Sequence, residues 1–145
     1  DKYRNTCTMV GTFVKHNDLR VLIVDDSPIV RARSVEALSA IETIEVVGQA
    51  QDVQDARQLF QQLKPHAVVL DIRLPGGNGI DVLRYIKEQA PYTMVIILTN
   101  FSDENYRKAC IQAGADYFLD KSNEFDAVST LLVNARSSGG KGGTR

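Results

Sequence analysis

Cysteine is scarce in this sequence, and its scarcity excludes two classes at once. Cys7 and Cys110 are the two thiols among 145 residues, too few for a disulfide framework and without the paired spacing of a metal knuckle. Cys110 falls at a core-facing position of a helical stretch, where a buried reduced thiol is the ordinary outcome. Long hydrophobic runs are absent too: none approaches the about 18 residues that a membrane span needs. No basic segment followed by an apolar one marks a secretory leader, so the expectation is a cytoplasmic, reducing location. An excess of charge of either sign is also missing. Lys and Arg number 17 against 18 Asp and Glu, a net charge of -1, so the domain as a whole has no basic field for nonspecific nucleic-acid binding. No internal repeat occurs at solenoid spacing.

The length suits one domain with a sizeable core, and 43% hydrophobic with 24% charged residues is a globular composition. From Leu19 onward, short β-branched runs alternate with longer stretches of helical period. Strands are predicted over 20–25, 45–49, 67–71, 94–98 and 116–119, and helices over 28–40, 52–63, 79–88, 102–113 and 122–136. Five βα units in succession predict an α/β fold, a parallel sheet with helices on both faces joined by right-handed crossovers. Ser27-Pro28 supplies a cap and a first-turn proline for the first helix. Asp52 caps the second, whose stripe is Val53, Ala56, Leu59, Phe60 and Leu63, with Pro65 beyond its end. Ile80, Leu83 and Ile86 line the third helix, with Pro91 beyond its end. Gly114 fits the left-handed position that closes the fourth. Phe125, Val128, Leu131, Leu132 and Ala135 line the last. Residues 1–18 read as an N-terminal extension or tag, although Met9–Val14 could be a short strand. Residues 19–136 are the domain, and 137–145 form a flexible tail or linker by composition.

Chemistry gathers at the strand ends. Asp25 and Asp26 follow Val21–Val24, Asp71 follows Ala67–Leu70, and Lys121 comes just after Tyr117–Leu119. In parallel α/β sheets, ligand sites form outside the carboxyl ends of strands. Three carboxylates and an ammonium would then share one pocket. Neighbouring carboxylates repel unless a cation neutralises them. Magnesium is a hard ion held by one or two carboxylates plus phosphate, and it suits such a set (Mg2+, or Mn2+ in its place). Asp71 is well placed as a nucleophile that forms an aspartyl phosphate. Lys121 would cover one phosphoryl oxygen, and Thr99, after Met94–Leu98, could offer a hydroxyl to another. Taken singly, each residue has a plainer reading as a cap, a turn or a strand end. Together they point to a metal–phosphate site.

These motifs resemble the receiver domain of two-component response regulators over roughly residues 19–136. The match comprises Asp25-Asp26, the Asp-x-x-Leu-Pro-x-x-x-Gly run from Asp71 to Gly79, Thr99, and Phe118-x-x-Lys121. The resemblance implies a flavodoxin-like (βα)5 fold, a doubly wound parallel sheet of order 2-1-3-4-5. It implies that Asp71 is the phosphoacceptor, served by a sensor histidine kinase or a histidine phosphotransfer protein. Asp26, Asp71 and the backbone carbonyl of Arg73 would bind the metal directly, and Asp25 through a water. Lys121 and Thr99 would bind the phosphoryl group. Thr99 and Phe118 would form the switch, Phe118 turning inward on phosphorylation. The surface of the fourth helix, fifth strand and fifth helix would then change, and could mediate a homodimer or contact another partner.

Several residues depart from the common pattern. Ser122 follows Lys121 where many receivers have proline, a variant that resembles receivers attached to helix-turn-helix transcriptional regulators. Phe118 lacks the hydroxyl of the more common tyrosine. Arg73, Asn100 and Phe101 crowd the acceptor and could restrict a hydrolytic water, which implies a long-lived phosphoryl group. Such a domain is a signalling protein rather than an enzyme, contacting no membrane and no nucleic acid itself. Two alternatives have weaker support. A receiver-like scaffold that no longer uses phosphorylation would not need this acidic cluster. An aspartyl-phosphate phosphatase of the haloacid dehalogenase type wants Asp-x-Asp-x-Thr where this chain has Asp25-Asp26-Ser27-Pro28.

Overall fold

Ala67, Val68, Val69 and Leu70 are all buried, as a central strand covered on both faces requires. The computed structural model describes residues 18–101 and 103–137. The expected extension up to Asn17 with its candidate strand at 9–14, and the tail from Ser138, lie outside these residues. In chain order the elements are β1 (Leu19–Val24), α1 (Pro28–Ser39), β2 (Ile44–Ala50), α2 (Val53–Leu63), β3 (Ala67–Leu70), β4 (Arg73–Leu74), β5 (Gly77–Asn78), α3 (Gly79–Gln89), β6 (Met94–Thr99), α4 (Glu104–Gln112), β7 (Tyr117–Asp120), α5 (Lys121–Glu124) and α6 (Ala127–Ser137).

The main sheet has five parallel strands in the order β2-β1-β3-β6-β7. This is the expected order 2-1-3-4-5 once the two-residue strands β4 and β5 are set aside, since among the described residues these pair only with each other. The period of two along each strand divides the core into two layers. Leu22, Val24, Val68, Leu70, Val95 and Ile97 face α2, α3 and α4, where Phe60, Leu83, Ile86 and Cys110 meet them. Val21, Ile23, Val69, Ile96 and Leu98 face the other way, onto Leu38 of α1 and Val128 and Leu132 of α6. Burial pushes the Cys110 thiol up to about 11, so it is a packing residue. Among the described residues no helix is long and apolar enough to cross a membrane.

Helix starts follow their caps. Ser27 Oγ accepts the Val30 N–H at 3.3 Å and Asp52 Oδ1 the Asp55 N–H at 2.8 Å. Gly114 adopts φ 108° after α4, the left-handed position expected of it. Three details differ from expectation. The turn over 72–79 contains the β4–β5 hairpin, closed by Gly76 at φ 87° and Gly77 at φ 151°. The fourth helix starts at Glu104 rather than Ser102, because Asp103 is its cap and accepts the Tyr106 N–H at 3.0 Å. The last helix, expected over 122–136, begins one residue earlier and is broken after Glu124, then restarts at Ala127. Its first turn is a separate capped unit, starting on the Asp120 side chain.

Candidate functional site

The strand order reverses beside β1, between β1 and β3, which opens a crevice at the carboxyl ends of the sheet. Backbone bonds carry the sheet one residue past the strands and fix the roots of two acids. The Asp25 N–H donates to Ala50 O at 3.0 Å, and the Asp71 N–H to Val24 O at 3.0 Å. Asp25 Oδ1 accepts the Ser27 N–H at 2.9 Å, while Arg31 donates to the Asp25 carbonyl at 2.8 Å. After Asp71 the chain folds back so tightly that the Gly79 N–H donates to the Ile72 carbonyl. A Cβ at Gly79 would collide with the Asp71 carbonyl oxygen and lie 2.7 Å from Ile72 Cα, so glycine is required there by close approach.

Four of the expected site residues meet. Asp25 and Asp71 are 3% and 5% exposed, and Asp26 is exposed. Each of the three presents a carboxylate oxygen within 4.8 Å of the others. Lys121 Nζ lies 2.7 Å from Asp25 Oδ2 and 3.0 Å from Asp71 Oδ2. Asp71 Oδ1 is buried with no hydrogen-bond partner. A buried polar atom left without a partner is costly, and functional oxygens awaiting a ligand are one reason such atoms persist. Burial pushes the Asp25 carboxyl above its usual range, against the pull of the Lys121 hydrogen bond, the Ser27 N–H and the Lys121 charge; the Asp71 charge adds to the rise. Burial alone would lower the Lys121 ammonium, but its two carboxylate hydrogen bonds and their charges carry it above the usual lysine value. One ammonium therefore bridges two carboxylates of a cluster of three. Three carboxylates offering hard oxygen donors within reach of one another fit a divalent magnesium-type ion.

Thr99 ends β6 fully buried, paired in register with Asp120 of β7. Its Oγ1 accepts the Phe101 N–H at 3.1 Å, leaving the hydroxyl hydrogen to be donated. Arg73 pairs with Asn78 in the hairpin, and its guanidinium carbon stacks 4.3 Å from the Phe101 ring centroid. Phe101 in turn meets Tyr106 edge-on at 6.4 Å. Asn100 is exposed beside them. Phe118 lies in the core layer with Cys110, 6% exposed, under the Arg107 guanidinium at 5.6 Å. Sequence reasoning overlooked the turn that carries Lys121, where Asp120 and Glu124 bind backbone N–H groups. An acidic residue before a helical turn, with Glu four positions on, was the available signal.

The family model described as the response regulator receiver domain matches residues 21–132. Among curated proteins, the response regulator GacA of Pseudomonas aeruginosa is 33% identical over 103 residues, covering 71% of this chain and 48% of that protein. The DNA-binding transcriptional activator DevR/DosR of Mycobacterium tuberculosis is 35% identical, again over 71% of this chain and 48% of its own length. A protein-glutamate methylesterase/protein-glutamine glutaminase of Myxococcus xanthus is 35% identical over 82% of this chain and 35% of itself. The chain thus spans about half or less of these three relatives. Among solved structures, the response regulator domain of Thermotoga maritima CheB superposes with a TM-score of 0.73 at 30% identity, covering 83% of this chain and 95% of that one. A LuxR-family two-component response regulator from an Aurantimonas species gives 0.72 at 27% identity, covering 81% and 86%. With this fold, this acid–lysine cluster and these relatives, the chain belongs to the response regulator receiver domain family.

Proposed function

We propose that this domain accepts a phosphoryl group on Asp71 from a phosphohistidine of a sensor kinase or histidine phosphotransfer protein, and that the modification switches a partner or output domain. The observation that carries this reading is the buried, unpartnered Asp71 Oδ1, next to an Oδ2 already bound by Lys121 at 3.0 Å. One carboxylate oxygen is held and the other is left to attack. As the P–O bond forms the P–N bond breaks, and the electron pair returns to the imidazole, which leaves neutral with a proton on its other nitrogen.

Asp25, Asp26 and Asp71, with the Arg73 carbonyl, would hold magnesium, or manganese in its place. When bound, the ion neutralises charge on the phosphoryl oxygens. Lys121 neutralises a further oxygen while remaining anchored to Asp25. Thr99 donates its hydroxyl hydrogen to the phosphoryl group. A shift of Thr99 draws on Phe101 through the N–H it accepts, and so on the start of α4. Phe118, already buried, forms the packed floor beneath α4, so a change begun at Thr99 would reach the α4–β7–α6 surface. That surface is where a homodimer or an output domain would read the switch. The output remains a property of the longer relatives, which include a DNA-binding activator and a methylesterase.

The stacked Arg73 and Phe101, with Asn100 beside them in the chain, would keep a hydrolytic water from the phosphoryl group. Arg73→Ala and Phe101→Ala are expected to shorten its lifetime in a phosphate-release assay; loss within seconds from the unaltered protein would contradict this role. The proposed function itself is tested by incubation with acetyl phosphate and magnesium. The wild type is expected to take up one phosphoryl group and Asp71→Asn none, with both folded by circular dichroism. A scaffold that does not use phosphorylation would show uptake in neither.

A further inference from the structure

The turn that carries Lys121 is locked on both sides by side chains outside the acid–lysine cluster. Asp120 closes β7, and its Oδ1 accepts the Ser122 N–H at 2.8 Å and the Ser122 hydroxyl at 2.7 Å. Glu124 reaches back across the turn, and its Oε1 accepts the Asp120 N–H at 2.9 Å. Lys121 lies between the two locks as the first residue of α5. That helix is only four residues long, too short to be held by its own backbone bonds. The side-chain bonds replace what helix length would otherwise provide. They matter because a lysine reaches its target through a flexible four-carbon stem. Its ammonium can stand 2.7 Å and 3.0 Å from two different carboxylates only if the backbone at its root is fixed.

We propose that Asp120 and Glu124 are positioning residues for phosphoryl transfer: they fix the backbone on either side of Lys121 and thereby aim its ammonium at Asp25 and Asp71. This rests on the proposed phosphorylation of Asp71. The two acids act through Lys121 and hold neither metal nor phosphoryl group. Ser122 contributes mainly through its N–H, since its hydroxyl binds the same Asp120 oxygen. A proline at position 122 would lack this N–H. The chain therefore builds its lysine turn from capping side chains.

The test compares the full chain and its Glu124→Ala, Glu124→Gln and Asp120→Ala variants in the rate of magnesium-dependent phosphorylation by acetyl phosphate. Magnesium affinity is measured by calorimetry, and all rates are read in native buffer, where the folded form dominates. Glu124→Ala is expected to slow uptake on the order of tenfold, as a displaced reacting group does, with magnesium affinity not weakened, since Lys121 is no metal ligand. Glu124→Gln keeps an oxygen that can accept the Asp120 N–H and is expected to restore most of the rate. A purely structural cap would lower the urea midpoint and leave the rate per folded molecule untouched. Asp120→Ala carries the same expectation as Glu124→Ala and replaces it should that variant fail to fold. A wild-type rate in the alanine variants would overturn the inference, and so would a glutamine variant as slow as alanine. A wild-type chain that takes up no phosphoryl group would overturn the proposed function as well, which separates the two failures.

Discussion

At the scale of single residues, Lys121 competes for the oxygens that a metal would use. Its ammonium holds Asp25 and Asp71 together, and removing it leaves two buried carboxylates in mutual repulsion. Like charges about 4 Å apart repel by about 1 kcal/mol even at the permittivity of water. Lys121→Ala is therefore expected to raise magnesium affinity about fivefold or more, while phosphoryl uptake falls; calorimetry and an uptake assay read the two effects separately. Gly79 is the other residue on which the site turns. Its Cβ would strike the Asp71 carbonyl, so Gly79→Ala forces a backbone shift, which overpacking of this kind typically makes worth about 1–3 kcal/mol in urea unfolding. The cluster of Asp25, Asp26, Asp71 and Lys121 was legible in the sequence because each residue directly follows or nearly follows a buried strand. What was not legible is which oxygen is free: Asp71 Oδ1 is unpartnered only because Lys121 chose Oδ2, a matter of side-chain geometry rather than residue type.

Among the elements, α1 shows how far residue type departs from burial. Ile29 is 73% exposed while Ser34 is buried on the same helix. The helix is set by the Ser27 cap, the first-turn proline and a narrow contact through Leu38 rather than by a broad apolar stripe. Ile29→Ala is accordingly expected to change stability by less than about 0.5 kcal/mol, whereas Leu38→Ala should cost about 2–5 kcal/mol; paired urea titrations decide. By contrast, the stripe of Val53, Ala56, Leu59, Phe60 and Leu63 was a sound guide to α2, since all five are buried or half-buried. Strands with uninterrupted apolar runs were likewise legible. The β4–β5 hairpin was not, because two-residue strands are too short to carry a period. Nor was the left-handed Lys64 that ends α2 at φ 47°, since lysine is not a residue type that signals such a turn. The break between α5 and α6 was hidden for a related reason. The apolar pattern runs on through Phe125, so nothing in it marks the interruption after Glu124.

For the molecule as a whole, the parallel sheet is the device that makes chemistry of distant sequence. Residues 25, 71 and 121 come together because β1, β3 and β7 end at one edge, with β6 delivering Thr99 between the last two. The layer beneath that edge continues through Phe118 and Cys110 into α4, so an event at the acceptor has a packed route to the α4–β7–α6 face. The proposed switch depends on a phosphoryl group arriving at one carboxylate among three neighbours. The direct measurement is to phosphorylate the chain with acetyl phosphate and magnesium, reduce the acyl phosphate with borohydride, and map the resulting homoserine by peptide mass. The expected result is homoserine at position 71 alone, absent when magnesium is withheld. Homoserine at position 25 or 26, or none at all from folded protein, would contradict Asp71 as the acceptor.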